Sequence, residues 1–274
     1  MKELPQGGPV AKLRRIFREL SRLRIGVHAA NTAYFLILAA FPLLVLLLGL
    51  LRYTRFDARD LVALLEGLLP EALLPEAEVL IHSLQQSASG AVVGLSALGV
   101  LWAASRGMFG LLTGLNAIYG VSESRGYVYT RAISLFYTFA FLLVLLLTLV
   151  LHVFGTGLLE YLRQSAEGFL RFVLRLIDLR FFLLLLLQTA LFCAMFMALP
   201  NRKSRLGESL PGAFFASSGW LIFSQLFSVY VENFSNYTSL YGSVYTLAVS
   251  MLWLYFCLCI LFYGGLLNRW LLER

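Results

Sequence analysis

The residues of this sequence that could do chemistry lie mostly inside long apolar runs. Arg106 stands near the middle of the run over 90–118, Thr113 lies on the same helical stripe, and Asn116 lies further round toward one end. A cation in the middle of a membrane span costs at least ~2.5 kcal/mol and marks a pathway or binding site. The pattern predicts that Arg106 points into the bundle and begins a polar lane. The alternative is a guanidinium that reaches back to the membrane interface.

Two further polar groups complete the candidate substrate-binding set. His28, Asn31 and Thr32 share one face near the start of the run over 26–51, where His28 is a candidate proton or ligand group, or is simply solvated or hydrogen-bonded. A second stripe recurs at seven- and eleven-residue offsets in the run over 211–231, and serves either a cavity or interhelical hydrogen bonds. Its candidate binding residues are Ser217, Ser224 and Gln225.

Catalytic constellations are absent from the sequence. The three histidines lie far apart, and no metal-ligand motif, phosphate-binding loop or nucleophile elbow occurs. We expect no enzyme, no metal and no cofactor. The acids belong to predicted outer loops and the bases to inner ones, so we also expect no nucleic-acid partner and no ribonuclease activity.

The elements that must position these residues are transmembrane helices. The chain is 59% hydrophobic and only 14% charged, and apolar runs long enough to cross a ~30 Å hydrocarbon core recur along it. The runs lack the period-two alternation of barrel strands. The sequence predicts an all-α polytopic membrane protein with six transmembrane helices. The predicted spans are 26–51, 90–118, 131–157, 180–200, 211–231 and 242–267.

The distribution of Lys and Arg predicts the orientation. Placing both termini in the cytoplasm puts twice as many cations in inner segments as in outer ones. Residues 11–24 form an amphipathic pattern with a basic face, which predicts an interfacial helix on anionic headgroups of the cytoplasmic leaflet. We divide the chain into a cytoplasmic segment 1–25, one transmembrane domain 26–267 and a cytoplasmic end 268–274.

Two predicted outer loops carry short amphipathic patterns. Residues 52–89 alternate apolar and acidic side chains with breaks at Pro70 and Pro75, and residues 158–179 repeat the style. We expect short amphipathic helices that cap the bundle on its outer side. With 232–241, these loops would face the periplasm.

Four motifs in order resemble one known family. They are AANTAYFLILAAFPLL at 29–44, LWAASRGMFGLLTGLNAIYG at 101–120, LPGAFFASSGW at 210–220 and YTSLYGSVYTLAVSMLWLYF at 237–256. The chain resembles the BrkB/YihY family of bacterial inner-membrane proteins over nearly its whole length. The resemblance implies a six-helix inner-membrane fold whose older ribonuclease BN label is a misassignment, and members associated with serum resistance and suggested as transporters.

The resemblance also marks motif positions without assigning them a role. They are Ala33, Tyr34, Phe41, Pro42, Ser105, Arg106, Asn116, Tyr119, Pro211, Gly212, Trp220, Tyr241, Gly242, Ser243, Trp253 and Asn268. The chain departs from the family's GAELN motif, because residues 264–268 read GGLLN and lack its acid. If that acid neutralises the span-two arginine elsewhere in the family, Arg106 needs another partner here.

Two functions remain open at this point. The first is a transporter or flippase-like carrier of an anionic or amphiphilic envelope molecule, with Arg106 in a cleft between spans one, two and five. The second is a non-transporting envelope assembly factor or scaffold. Membrane lipids are the expected partners in both cases.

Overall fold

The structure, a computed structural model, describes most of the predicted membrane domain. The described residues are 21–51, 71–87, 90–126, 128–138, 179–233 and 243–273, with positions 61, 62, 65 and 69. The amphipathic pattern at 11–20, most of the third predicted span, the loop over 158–178 and motif residues Tyr241 and Gly242 lie outside them.

The described chain is helical. Its helices are α1 (Ile25–Leu51), α2 (Leu74–Ser87), α3 (Gly90–Tyr119), α4 (described over 128–138), α5 (Leu179–Ala198), α6 (Leu206–Asn233) and α7 (Ser243–Leu272). A 3-10 turn, Glu71–Leu73, precedes α2. No strand occurs in these ranges, so the all-α prediction is confirmed for this part of the chain.

Four helices in the described ranges are long and apolar enough to cross a membrane. The stretches are Ser21–Leu46, Val93–Tyr119, Leu206–Val231 and Val244–Leu272. They correspond to predicted spans one, two, five and six. The fourth predicted span is α5, whose apolar part Leu184–Ala198 is shorter, and the third is described only at its start. Those two crossings therefore stay predictions.

The start of α1 is fixed by a left-handed residue. Residues 21–23 are helical, and Arg24 then adopts a φ of 46°, which ends that helix. The Arg24 carbonyl accepts bonds from the amides of Val27 (2.9 Å) and His28 (3.3 Å), which are the first hydrogen bonds of α1.

A helix occupies the first predicted outer loop. Pro75 lies in the first turn of α2, where a missing N–H is tolerated, so it starts this helix rather than breaking one. The helix packs against α1, and the preceding 3-10 turn packs against α6. Leu73 and Ile81 are buried in these contacts. This arrangement covers the end of the bundle, and its placement on the membrane surface stays a prediction.

Helix α7 holds the bundle together, because it packs against α1, α3 and α6. Its crossing with α6 is made by two glycines, Gly212 and Gly264, at which an added Cβ would overlap the other helix's backbone. Most of the largest fully buried side chains, among them Leu115, Phe196 and Phe262, belong to one continuous core. Interhelical packing drives helix association inside lipid, and it is tightest where α6 crosses α7.

Helix α3 meets α1 along its small residues. A Cβ at Gly107 would lie 2.9 Å from Leu36, and one at Gly110 would lie 2.6 Å from the Thr32 hydroxyl. These separations leave no room for a larger side chain. We call this contact the α1–α3 seam.

Candidate functional site

The α1–α3 seam brings together most of the polar residues predicted in the first two spans. Asn31 and Thr32 lie against Gly110, and the amide nitrogen of Asn31 is 3.1 Å from the position a Cβ would take there. One turn closer to the start of α1, His28 lies against Gly114, where an added Cβ would be 3.0 Å from the Cβ of His28. Because α3 has glycines at these two positions, the α1 groups can approach its backbone.

The seam has one covered edge and one open edge. Helix α7 covers the first, where Phe262 contacts both the Gly114 position and the ring of His28, at 6.3 Å between ring centroids. Exposed Asn31 and Arg106 therefore share the other edge. The ring of Phe35 meets exposed Trp102 there, at 6.2 Å between centroids.

Arg106 does not point into the bundle. Its side chain is exposed, so the predicted inward orientation is wrong. The physical reason is steric. Arg106 lies about 40° from Gly110 around α3, and α1 and α3 are too close together there to hold a side chain between them. The guanidinium stays on the open edge, and no residue in the described ranges forms an ion pair with it.

Thr113 shares the Arg106 side of α3, as predicted. It is half-buried, and its hydroxyl donates to the carbonyls of Phe109 and Gly110, both at 3.0 Å. Thr32 is fully buried on the opposing helix, and its hydroxyl has no hydrogen-bond partner in the described part of the chain. The open edge of the seam, as we use the term, consists of Asn31, Arg106 and Thr113.

The polar stripe of span five does not join this edge. The Ser224 hydroxyl accepts a hydrogen bond from Trp253 Nε1 of α7 at 3.1 Å, Ser217 is buried, and Gln225 is exposed. Helix α6 packs mainly against α7 and α5, so the cleft predicted between spans one, two and five is not formed. For Ser224, the interhelical hydrogen bond is the correct interpretation.

Asn116 belongs to a network at the end of the bundle where α3 ends and α6 begins, rather than to a lane from Arg106. We call this the inner end, because it is the end predicted to face the cytoplasm. It is 4% exposed, its amide donates to Glu123 Oε2 at 2.8 Å, and its oxygen accepts from the Asn201 amide at 2.7 Å. Arg125 pairs with Glu123 at 2.7 Å and donates to the Leu199 carbonyl at 3.1 Å. The connector after α3 is thus tied to the connector after α5.

The charges of this network stabilise each other. The hydrogen bond from Arg125 lowers the pKa of Glu123 below its usual value, against an opposing effect of burial, and the same bond raises the pKa of Arg125. Sequence patterns gave no sign of this pairing, because the two residues lie in a turn outside any periodic segment.

A second inner cluster is centred on Asn268. Its oxygen accepts from the Gly212 amide at 2.6 Å, and its nitrogen donates to the Ser209 carbonyl at 3.1 Å. Pro211 has no N–H to donate to the Gly207 carbonyl one turn earlier, and Asn268 binds backbone groups on either side of this proline. Helix α6 begins at Leu206, five residues before the predicted start.

Aromatic and cationic side chains close the same end. Arg202 stacks over the Tyr119 ring at 4.3 Å and pairs with Glu208 at 3.1 Å, while Arg269 donates to the Ile118 carbonyl at 2.9 Å. Five motif positions of the family resemblance, which lie up to 152 residues apart in the sequence, therefore meet in one region. They are Asn116, Tyr119, Pro211, Gly212 and Asn268.

The acid that the GGLLN segment lacks would not have been a partner for Arg106. Gly265 packs against Leu115, so its neighbour Leu266 lies near that level of α3. Arg106 is nine residues away, which is about 14 Å along a helix. A carboxylate at position 266 would lie in the buried inner core, out of reach of the guanidinium.

Comparison with known proteins gives a consistent set of relatives. The family model described as virulence factor BrkB matches residues 16–274. The ribonuclease-like protein YfkH of Bacillus subtilis is 32% identical over 246 residues, 90% of each chain. The UPF0761 membrane protein PBPRA3489 of Photobacterium profundum is 26% identical over 277 residues, 97% of this chain and 82% of its own. No solved structure matches.

Proposed function

Because the chain belongs to the BrkB family of membrane proteins, we propose that it is a flippase-like carrier of an anionic amphiphile rather than an enzyme. In this proposal the open edge of the α1–α3 seam contacts the charged headgroup, while the apolar chains stay in the lipid. The protein would lie in the bacterial inner membrane with both termini in the cytoplasm. Ribonuclease activity is not part of this proposal, and the term ribonuclease-like comes from the name of the relative YfkH.

The observation that carries the proposal is the exposure of Arg106 at midspan. Arg106 is the central residue of the stretch Val93–Tyr119, thirteen residues from either end. An exposed cation at that depth faces hydrocarbon unless water or an anion reaches it, and the penalty is at least ~2.5 kcal/mol. A site that lowers this penalty by binding a phosphate or carboxylate is a physical reason to keep an arginine there.

The surroundings of Arg106 give the edge a direction. Toward the outer end of α3 the exposed side chains are apolar, Leu95, Leu98 and Trp102. Toward the inner end lie Thr113 and the exposed amide of Asn31. A headgroup entering from the cytoplasmic leaflet would meet polar groups first and a cation at the centre, where the charge of the headgroup is most costly.

Reconstitution tests this proposal. Vesicles of phosphatidylethanolamine and phosphatidylglycerol, carrying a fluorescent phosphatidylglycerol, report translocation when an impermeant reductant bleaches only the outer leaflet. We expect the protein to accelerate bleaching of the inner pool, and Arg106→Leu to remove the acceleration. Arg106→Lys should be intermediate, because it keeps the charge but loses the bidentate fork.

Leu98→Ala is the matched control, since it changes an exposed residue on the same side of α3. We expect it to translocate lipid at the wild-type rate. Folding of each variant is checked by its elution as a single species and by its thermal unfolding. Equal rates for empty vesicles and for vesicles with folded wild-type protein would remove the proposal.

The inner network favours the second candidate, an envelope scaffold. Asn116, Asn201 and Asn268 bind backbone or side-chain groups across connectors and helices, which makes the inner end rigid. A rigid inner platform suits a protein that holds partners. Absence of flux together with specific co-purification of another envelope protein would favour this function.

A further inference from the structure

A lateral groove runs between α5 and the inner half of α6, away from the α1–α3 seam. Its volume is about 440 Å³. The α5 wall extends from Phe182 to Met197, and the α6 wall is formed by Leu206, Leu210 and Phe214. It opens sideways, as the 55% exposure of Phe214 indicates.

The shape of the groove suits a chain rather than a helix. Its α5 wall is about 22 Å long at 1.5 Å per residue, which exceeds the ~15 Å depth of one leaflet's hydrocarbon. A twenty-residue helix occupies on the order of 2,000 Å³, several times the volume available. The walls are apolar apart from Thr189 and Cys193, so the groove favours an acyl chain.

The inner mouth of the groove is cationic. Met197 and Leu206 line the groove on either side of the connector between α5 and α6, so that connector closes its inner end. Lys203 and Arg205 lie on the connector with exposed side chains. Neighbouring Arg202 is already paired with Glu208, whereas in the described ranges no carboxylate pairs with the other two.

We propose that this groove is a binding site for an anionic phospholipid of the cytoplasmic leaflet. One acyl chain lies along α5 and passes over Ala190 and Ala194, and the phosphate contacts Lys203 and Arg205. The charge complementarity at the mouth selects an anionic headgroup, and the apolar walls hold the chain. The site shares no residue with the open edge of the α1–α3 seam, so it does not depend on the proposed carrier activity.

Lipid retention measured by native mass spectrometry tests the site. Full-length protein is extracted from vesicles containing equal amounts of phosphatidylglycerol and phosphatidylcholine, and the lipids that stay bound are counted. We expect retained phosphatidylglycerol in excess over phosphatidylcholine. Removing both charges, Lys203→Gln with Arg205→Gln, should lower that excess by about fivefold per cation.

Filling the groove is the second arm of the test. Ala190→Phe with Ala194→Phe should reduce retention of both lipids by roughly tenfold, because the chain loses its apolar wall contacts. The matched control is Ala248→Phe, an exposed alanine on α7, which should retain lipid as the wild type does. Arg131→Gln removes a half-buried cation on α4, away from the groove, and should leave the preference intact.

Three results would overturn the proposal. One is equal retention of the two lipids by the wild type. Another is an equal loss in the groove variants and their controls, which would mean nonspecific adsorption. The third is efficient disulfide crosslinking between copies that carry Leu186→Cys. Leu186 is 69% exposed at the groove wall, so crosslinking there would assign this face to a protein interface.

Discussion

Substituting Gly212 by alanine should destabilise the bundle more than its small size suggests. A Cβ at this position would overlap the carbonyl oxygen of Gly264 and lie 2.5 Å from the Asn268 amide oxygen. The first neighbour is backbone and cannot rotate away, so α6 and α7 must separate. Separation weakens the bonds from the Gly212 amide to Asn268 (2.6 Å) and from Asn268 to Ser209 (3.1 Å).

The magnitude follows from these two effects. Overpacking a close contact costs about 1–3 kcal/mol. Two interhelical hydrogen bonds in a membrane protein contribute roughly 0.6–1 kcal/mol each. We therefore expect Gly212→Ala to lower the free energy of unfolding by about 2–5 kcal/mol. Asn268→Ala removes the hydrogen bonds without the overlap and should cost only about 1–2 kcal/mol.

The assay is unfolding in mixed micelles by increasing SDS mole fraction, followed by far-ultraviolet circular dichroism. Gly207→Ala is the matched control in the same helix, because a Cβ there meets nothing within 4 Å. Alanine is a better helix former than glycine, so this variant should be as stable as the wild type or slightly more stable. Identical unfolding midpoints for Gly212→Ala and Gly207→Ala would refute the close crossing of α6 and α7.

The remaining predictions concern pH, topology and the seam. The bond to Arg125 lowers the pKa of Glu123, so this pair stabilises the fold above the pKa of the unfolded carboxyl group and loses its effect as pH falls through the folded pKa. Thermal unfolding between about pH 6 and pH 3 should show this loss of stability in the wild type and not in Glu123→Gln. Externally added impermeant thiol reagents should reach an engineered cysteine in 60–85 of intact cells but not one in 201–210, and the reverse would overturn the proposed orientation. Gly110→Leu should prevent stable folding, measured as loss of the monodisperse elution peak, because Thr32 occupies the space its side chain needs.

Sequence reasoning was sufficient for the long helices of the described ranges, whereas the pairing of α1 with α3 came from the structure. Long apolar runs specify helices in lipid whatever their tertiary neighbours are, and a face of Gly107, Gly110 and Gly114 can only be used for close approach. The orientation of Arg106 could not be predicted in the same way. It lies at the border of that face, and helical periodicity does not decide whether a border residue turns inward or outward.

The inner network was also beyond sequence reasoning. Asn116 was assigned to a lane because of its position on α3, but its partners, Glu123 and Asn201, lie in connectors that have no periodicity. Asn268 likewise bonds Gly212, which lies 56 residues away along the chain. Such contacts depend on how the helices pack, which local patterns do not specify.

The measurement that tests the account most directly is the ratio of translocation rates for phosphatidylglycerol and phosphatidylcholine analogues, compared across side chains of different charge at position 106. If the Arg106 guanidinium contacts the headgroup during passage, the wild type should favour phosphatidylglycerol, Arg106→Gln should bring the ratio close to one, and Arg106→Glu should reverse the preference. A ratio that stays the same in all three folded proteins would contradict the account, because the charge at midspan would then have no part in passage of the headgroup.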